Sequence, residues 1–134
     1  MVELDAWFDP EAEGPTPVRT PADLDAVLDT VTGWEGANSI QLFVAGDPGR
    51  GMLEIGLDSE RGRGVAFYSA SGQAYYSHGP EMLPEPPLYY YQDNDTEYPA
   101  DAELPLEIIR RTAHDFLATG QRPATIEWRL PASR

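Results

Sequence analysis

The 134-residue sequence contains no cysteine and no lysine. Without cysteine there is no disulfide framework, no thiolate nucleophile and no cysteine-ligated metal, which fits a reducing compartment. Without lysine there is no Schiff-base chemistry on a side-chain amine. Because Ala, Gly, Pro and Arg are common, the missing lysine also points to a GC-rich coding sequence. No apolar run approaches the roughly 20 residues that span a bilayer. The opening MVELDAWFDPEAEG lacks the basic and apolar blocks of a signal peptide. These features together predict a cytoplasmic protein with no membrane attachment.

Signatures of catalysis are scarce as well. GxxxxGKS/T, GxGxxG, GxSxG and HExxH do not occur, so phosphate cradles, nucleophile elbows and helical zinc sites lack support. Only His78 and His114 could act as a base near neutral pH, and each stands alone in sequence. Both read as boundary histidines. Asp93-Asn94-Asp95-Thr96-Glu97 opens like a calcium loop, but such a loop needs glycine sixth and glutamate twelfth. Those positions hold Tyr98 and Leu104. With 23 acids in the chain, some carboxylates become neighbours by chance, so no paired-carboxylate chemistry is indicated. The expectation is a protein that is no enzyme, with no catalytic residues, cofactor or metal.

What is present in excess is negative charge. Twenty-three Asp and Glu face nine Arg, giving a net charge of −14 and a pI near 4.2. Such a surface repels phosphate, which argues against nucleic acid as a direct ligand. It favours encounter with a positively charged protein. The competing explanation is that acidity only maintains solubility.

Along the chain, residues 2–8 alternate Val2, Leu4, Ala6 and Phe8 and predict a first strand. An acidic, Pro-rich arm follows at about 9–19. A first helix starts with Thr20 as N-cap and Pro21 in its first turn. Leu24, Val27, Leu28 and Val31 form its buried face, and Gly33 ends it with a left-handed residue. SIQLFVAG, MLEIGL, VAFYSAS, QAYYSHG and PLYYYQD then predict strands joined by hairpin turns, of which Ser71-Gly72 is the tightest. DNDTEYPADAE reads as an acidic loop. LPLEIIRRTAHDFLATG reads as a second helix with Pro105 in its first turn. Leu106, Ile109, Ala113, Phe116 and Leu117 lie on one side of it, and Gly120 is its stop. Arg122-Pro123 forms a rigid turn, and residues 124–128 supply a last strand with Ile126 and Trp128 facing inward. The fold class is α+β: one domain over 1–134, with two helices on a mostly antiparallel meander of five to seven strands.

The aromatic residues cluster on these strands. Tyr75-Tyr76 and Tyr89-Tyr90-Tyr91 occupy adjacent strand positions, so alternate rings point to opposite faces. Inward rings build core by cross-strand packing, and outward rings beside acids have the composition of a binding surface.

The order of TPADLDAVLDTV, NSIQLFVAGD, GMLEIGL, VAFYSASGQAYYSHG and EYPADAELPLEIIRRTAHDFLATGQRPATIEW resembles immunity protein family 1 of bacterial polymorphic toxin systems. The resemblance spans about residues 20–129. The Ser-Gly turn, the Tyr-Pro before the second helix and the TGxRPxxIxW close carry it. It implies an α+β cytoplasmic protein encoded beside a secreted toxin, often a deaminase or another nucleic-acid-targeting enzyme such as a nuclease, which it neutralises by binding.

A toxin of that kind needs a basic substrate groove, and an acidic inhibitor can occupy it in place of phosphate. An interface takes about 800 Å² from each partner, roughly a tenth of the about 7,000 Å² expected here. On this reading Tyr89, Tyr90 and Tyr91 are candidate anchors. Asp93, Asp95, Glu97, Asp101 and Glu103 are candidate charge contributors, with Glu81 and Glu85 extending the patch. The expected complex is one monomer to one toxin. Two alternatives stay open: a general protein-interaction module that pairs through a sheet edge, or a small metal-binding domain.

Overall fold

The computed structural model describes residues 1–92 and 94–131. In chain order its elements are β1 (Leu4–Trp7), β2 (Thr16–Val18), α1 (Pro21–Thr32), β3 (Ala37–Val44) and a 3₁₀ turn (Pro48–Arg50). Then come β4 (Met52–Asp58), β5 (Arg63–Ala70), β6 (Gln73–Ser77), β7 (Leu88–Tyr91) and β8 (Asn94–Glu97). The chain closes with β9 (Leu104–Pro105), α2 (Leu106–Thr119) and β10 (Trp128–Arg129).

Among the described residues, ten strands form one sheet, seven of them in the order β10-β6-β5-β4-β3-β1-β2, with β7 paired to β3 and β8 and with β9 paired to β5, an α+β fold. Strands β3 to β6 are the expected antiparallel meander. The count exceeds five to seven because short segments join the sheet. Part of the Pro-rich arm becomes β2 and pairs with β1. Four residues of the acidic loop become β8 and pair with β7. β7 itself runs parallel to β3, with Asn38 opposite Tyr90, an exception to the antiparallel pattern.

Cross-strand register assigns the two faces. Ile40 opposes Ile55 and Leu42 opposes Leu53, and Ala66 opposes Ile55 on the next strand. These residues form the main core with Leu24, Leu28, Ile109 and Phe116 of the two helices. Residues of the other parity point away from the helices, because successive side chains alternate. There a second cluster gathers Ala37, Val65, Tyr89, Tyr98 and Ala102, with Phe67 and Tyr76 packed against it.

Thr20 Oγ1 accepts the Asp23 N–H at 3.1 Å and caps α1. Gly33 differs from expectation: its φ of −75° is right-handed, and the left-handed residue is Gly36, at φ +82°. Trp34 N–H still bonds to Val31 carbonyl, so the helix tapers before the chain reverses. Pro105 lies one residue before α2, paired with Arg63 across β9–β5. Gly120 adopts φ +67° and its N–H bonds to Phe116 carbonyl at 2.7 Å, the expected left-handed stop. The two helices are tied by Arg110, 2.8 Å from Asp29, and by His114 Nε2, 2.7 Å from Asp25 Oδ1. The hydrogen bond from His114 holds the Asp25 carboxyl below its ordinary value.

The expected strand at 124–128 is shorter than its pattern. Asp115 on α2 accepts the Ala124 N–H at 2.8 Å and the Thr125 hydroxyl at 2.9 Å, which pulls that stretch onto the helix. Only Trp128 and Arg129 reach β6. Trp128 donates its indole N–H to Pro123 carbonyl at 2.7 Å, so the Arg-Pro turn and the tryptophan hold each other.

Candidate functional site

The β7–β8 hairpin lies over the sheet face opposite the helices, and its strands carry five of the ten predicted interface residues. Tyr89 is fully buried beneath it. Its ring rests on β4 where a Cβ on Gly56 would collide with it, so glycine is what lets the hairpin approach the sheet. The Tyr89 and Tyr98 rings meet edge to face at 5.6 Å, and Tyr98 meets Tyr76 the same way at 5.8 Å. Tyr90, next in the strand, points outward and is 46% exposed. Tyr91 turns toward β1 and is half-buried.

Buried carboxylates pin this layer to the sheet. Glu103 accepts the Tyr89 hydroxyl at 2.7 Å and pairs with Arg61, whose Nε also bonds to Asp58 at 2.7 Å. Burial and the Glu103 carboxylate push the Tyr89 phenol up, and the hydrogen bonds that Arg61 donates to Glu103 likewise raise Arg61. Glu54 accepts the Tyr98 hydroxyl at 2.5 Å and the Gln41 amide at 2.9 Å. Asp101 is buried between Arg129 and His78, with His78 Nδ1 at 3.3 Å. Ser77 takes the Ala66 N–H and donates to Ala102 carbonyl, sewing the 98–103 segment to the sheet.

The ten candidates therefore separate. Tyr90, Asp95, Glu97, Glu81 and Glu85 are exposed, and Tyr91 is half-exposed. Tyr89, Asp101 and Glu103 are interior, where they support the surface from beneath through internal hydrogen bonds and ion pairs. Glu81 is paired with Arg63 at 2.6 Å. Asp93 lies outside the described residues. The acid-rich composition of 95–103 could not separate outward from inward carboxylates, because the arginines that pair with the inward ones come from residues 61 and 129.

Beside the hairpin, a cleft of about 430 Å³ opens on the same sheet face, lined by Asp5, Trp7, Gln41, Phe43 and Tyr91 with Val44 and Gly46. Sequence reading missed Trp7 and Phe43: the alternation of Val2, Leu4, Ala6 and Phe8 marked the opposite parity of β1, and no facing was assigned within SIQLFVAG. No described helix is long and apolar enough to cross a membrane.

A family model described as Immunity protein Imm1 matches residues 12–130. The chain belongs to the Imm1 immunity protein family. The Imm1 match covers both helices and strands β2 to β10, and leaves β1, with Asp5 and Trp7, ahead of the matched segment. A comparison with curated proteins finds no match. An immunity family implies a toxin as partner.

Proposed function

We propose that this Imm1 protein acts in the cytoplasm as a non-enzymatic inhibitor, binding a basic, nucleic-acid-targeting toxin encoded by the adjacent gene and blocking its substrate groove. The observation that carries the reading is the hairpin face: exposed Tyr90 beside exposed Asp95 and Glu97, on a molecule of net charge −14. A deaminase or nuclease must hold phosphate with cations, and acids presented on a rigid sheet can take those cations instead. The sheet, with its buried Tyr-carboxylate pins, keeps the hairpin preorganised, so little ordering cost falls on association.

Size is compatible with this role. The accessible surface is 7164 Å², and an interface of about 800 Å² per partner would use roughly a ninth of it. The remaining acids then steer encounter. The exposed candidates Tyr90, Tyr91, Asp95, Glu97, Glu81 and Glu85 make direct contact in this proposal, while Tyr89, Asp101 and Glu103 hold the surface in shape.

Co-expression decides the question. Cells producing the neighbouring gene's toxin domain should grow when they also carry this chain, and the two should co-purify one to one. Continued killing in cells that contain soluble, folded chain would refute the proposal.

A further inference from the structure

We propose that the cleft between β1, β3 and Tyr91 receives a basic side chain, most naturally an arginine, projecting from the toxin. This rests on the toxin-binding reading and names the chemistry of its central contact. Register sets Asp5 beside Phe43 and Trp7 beside Gln41 on the face away from the helices. Tyr91 completes the lining, and the open cleft of about 430 Å³ falls within the ~300–1,000 Å³ of ligand clefts. Its lining includes three aromatic residues, a class of side chain whose ring faces attract cations, and one acid. A guanidinium can stack on a ring and donate to a carboxylate at the same time.

Charge selects the occupant. Each of the eight described arginines contacts a group elsewhere. Arg19, Arg61, Arg63, Arg110, Arg111 and Arg129 pair with acids other than Asp5. Arg50 donates to Thr119 carbonyl, and Arg122 lies over Tyr75 with its Cζ 4.3 Å from the ring centroid. None lines the cleft, and the chain has no lysine to send there. The contrast with Arg122 is informative. The aromatic surface of Tyr75 and Trp128 contains a cation of its own, whereas that of Trp7, Phe43 and Tyr91 contains an acid and no described cation. On the adjoining hairpin, exposed Asp95 and Glu97 add to the attraction for positive charge.

The test measures binding of the full chain to the neighbouring gene's toxin domain for wild type, Asp5→Asn, Asp5→Arg and Glu107→Gln, the last on an exposed helix surface. Asp5→Asn should weaken binding about tenfold and Asp5→Arg, which brings a cation into the cleft, about a hundredfold. Glu107→Gln should leave it unchanged. Should Asp5→Arg fail to fold, Tyr91→Leu, which keeps an apolar wall but removes a ring face, should also weaken binding about tenfold. Equal binding by all folded chains overturns the cleft and leaves the immunity reading standing. No binding by any chain, wild type included, overturns both. A wild-type chain that dimerises alone and is dispersed by Asp5→Arg would place a second copy in the cleft, and also overturn the proposal.

Discussion

The Tyr98 hydroxyl donates to Glu54 Oε2 over 2.5 Å, and both residues are almost sealed from water, at 1% and 7% exposure. This contact joins the segment after the hairpin to the centre of the sheet. Burial, followed by the Glu54 charge, raises the Tyr98 phenol well above 10.0, and burial with Glu103 raises Tyr89 in the same direction. A group whose value is raised by folding contributes fully below its unfolded value and loses that contribution as pH rises toward the folded one. The protein should therefore be stable through neutral pH and weaken progressively above pH 10.0, the unfolded value for both phenols. Tyrosinate absorbance and circular dichroism should report ionisation of these two rings together with unfolding. Tyr98→Phe should flatten that alkaline limb.

Gly56 lies under the Tyr89 ring, where a Cβ would collide with it. Gly56→Ala should cost about 1–3 kcal/mol, the usual penalty for overpacking, because the ring must shift. Hydrogen exchange should show the loss concentrated in amides of β7 and β8 while those of β4 and β5 stay protected.

Arg61 joins Asp58 and Glu103, which are 9% and 4% exposed at the side chain, while Arg61 itself is 45% exposed. Arg61→Met should destabilise by about 2–3 kcal/mol, below the fully buried range because water reaches the guanidinium. Adding Asp58→Asn and Glu103→Gln to it should recover part of the loss, since no buried charge then stands unpaired. Urea unfolding of the single and triple variants measures the difference.

Much of this architecture was legible from residue order. The helix faces, the Ser71-Gly72 turn, with φ of 52° and 79°, and the Gly120 stop follow from local chemistry that distant residues do not override. The short strands were less accessible. Asn94–Glu97 has the composition of a loop and becomes a strand only because β7 lies beside it. Residues 124–127 have a strand's composition and are drawn away by Asp115.

The candidate site divides along the same line. Local acidity marked the hairpin, whose outward Tyr90 and Asp95 are neighbours by register. It could not show that Glu103 belongs to Arg61, 42 positions away. Nor could it show that β1 and β3 jointly leave Trp7 and Phe43 in a cleft with Asp5, because that grouping depends on which strands pair.

The exposed acids should act mainly on the rate of encounter. Replacing Glu81, Glu85, Asp95 and Glu97 together by Gln or Asn should slow association with the toxin about tenfold at low salt and flatten its salt dependence. Dissociation should change less. Stopped-flow association at several ionic strengths separates the two effects. Unchanged association rates would remove this patch from the encounter surface.

Titrating purified toxin activity with this chain tests the central claim most directly, with nothing else in the tube. Activity should fall linearly and vanish at one equivalent, with no turnover of toxin or its substrate by the chain itself. A toxin that remains fully active in the presence of a large molar excess would contradict the account.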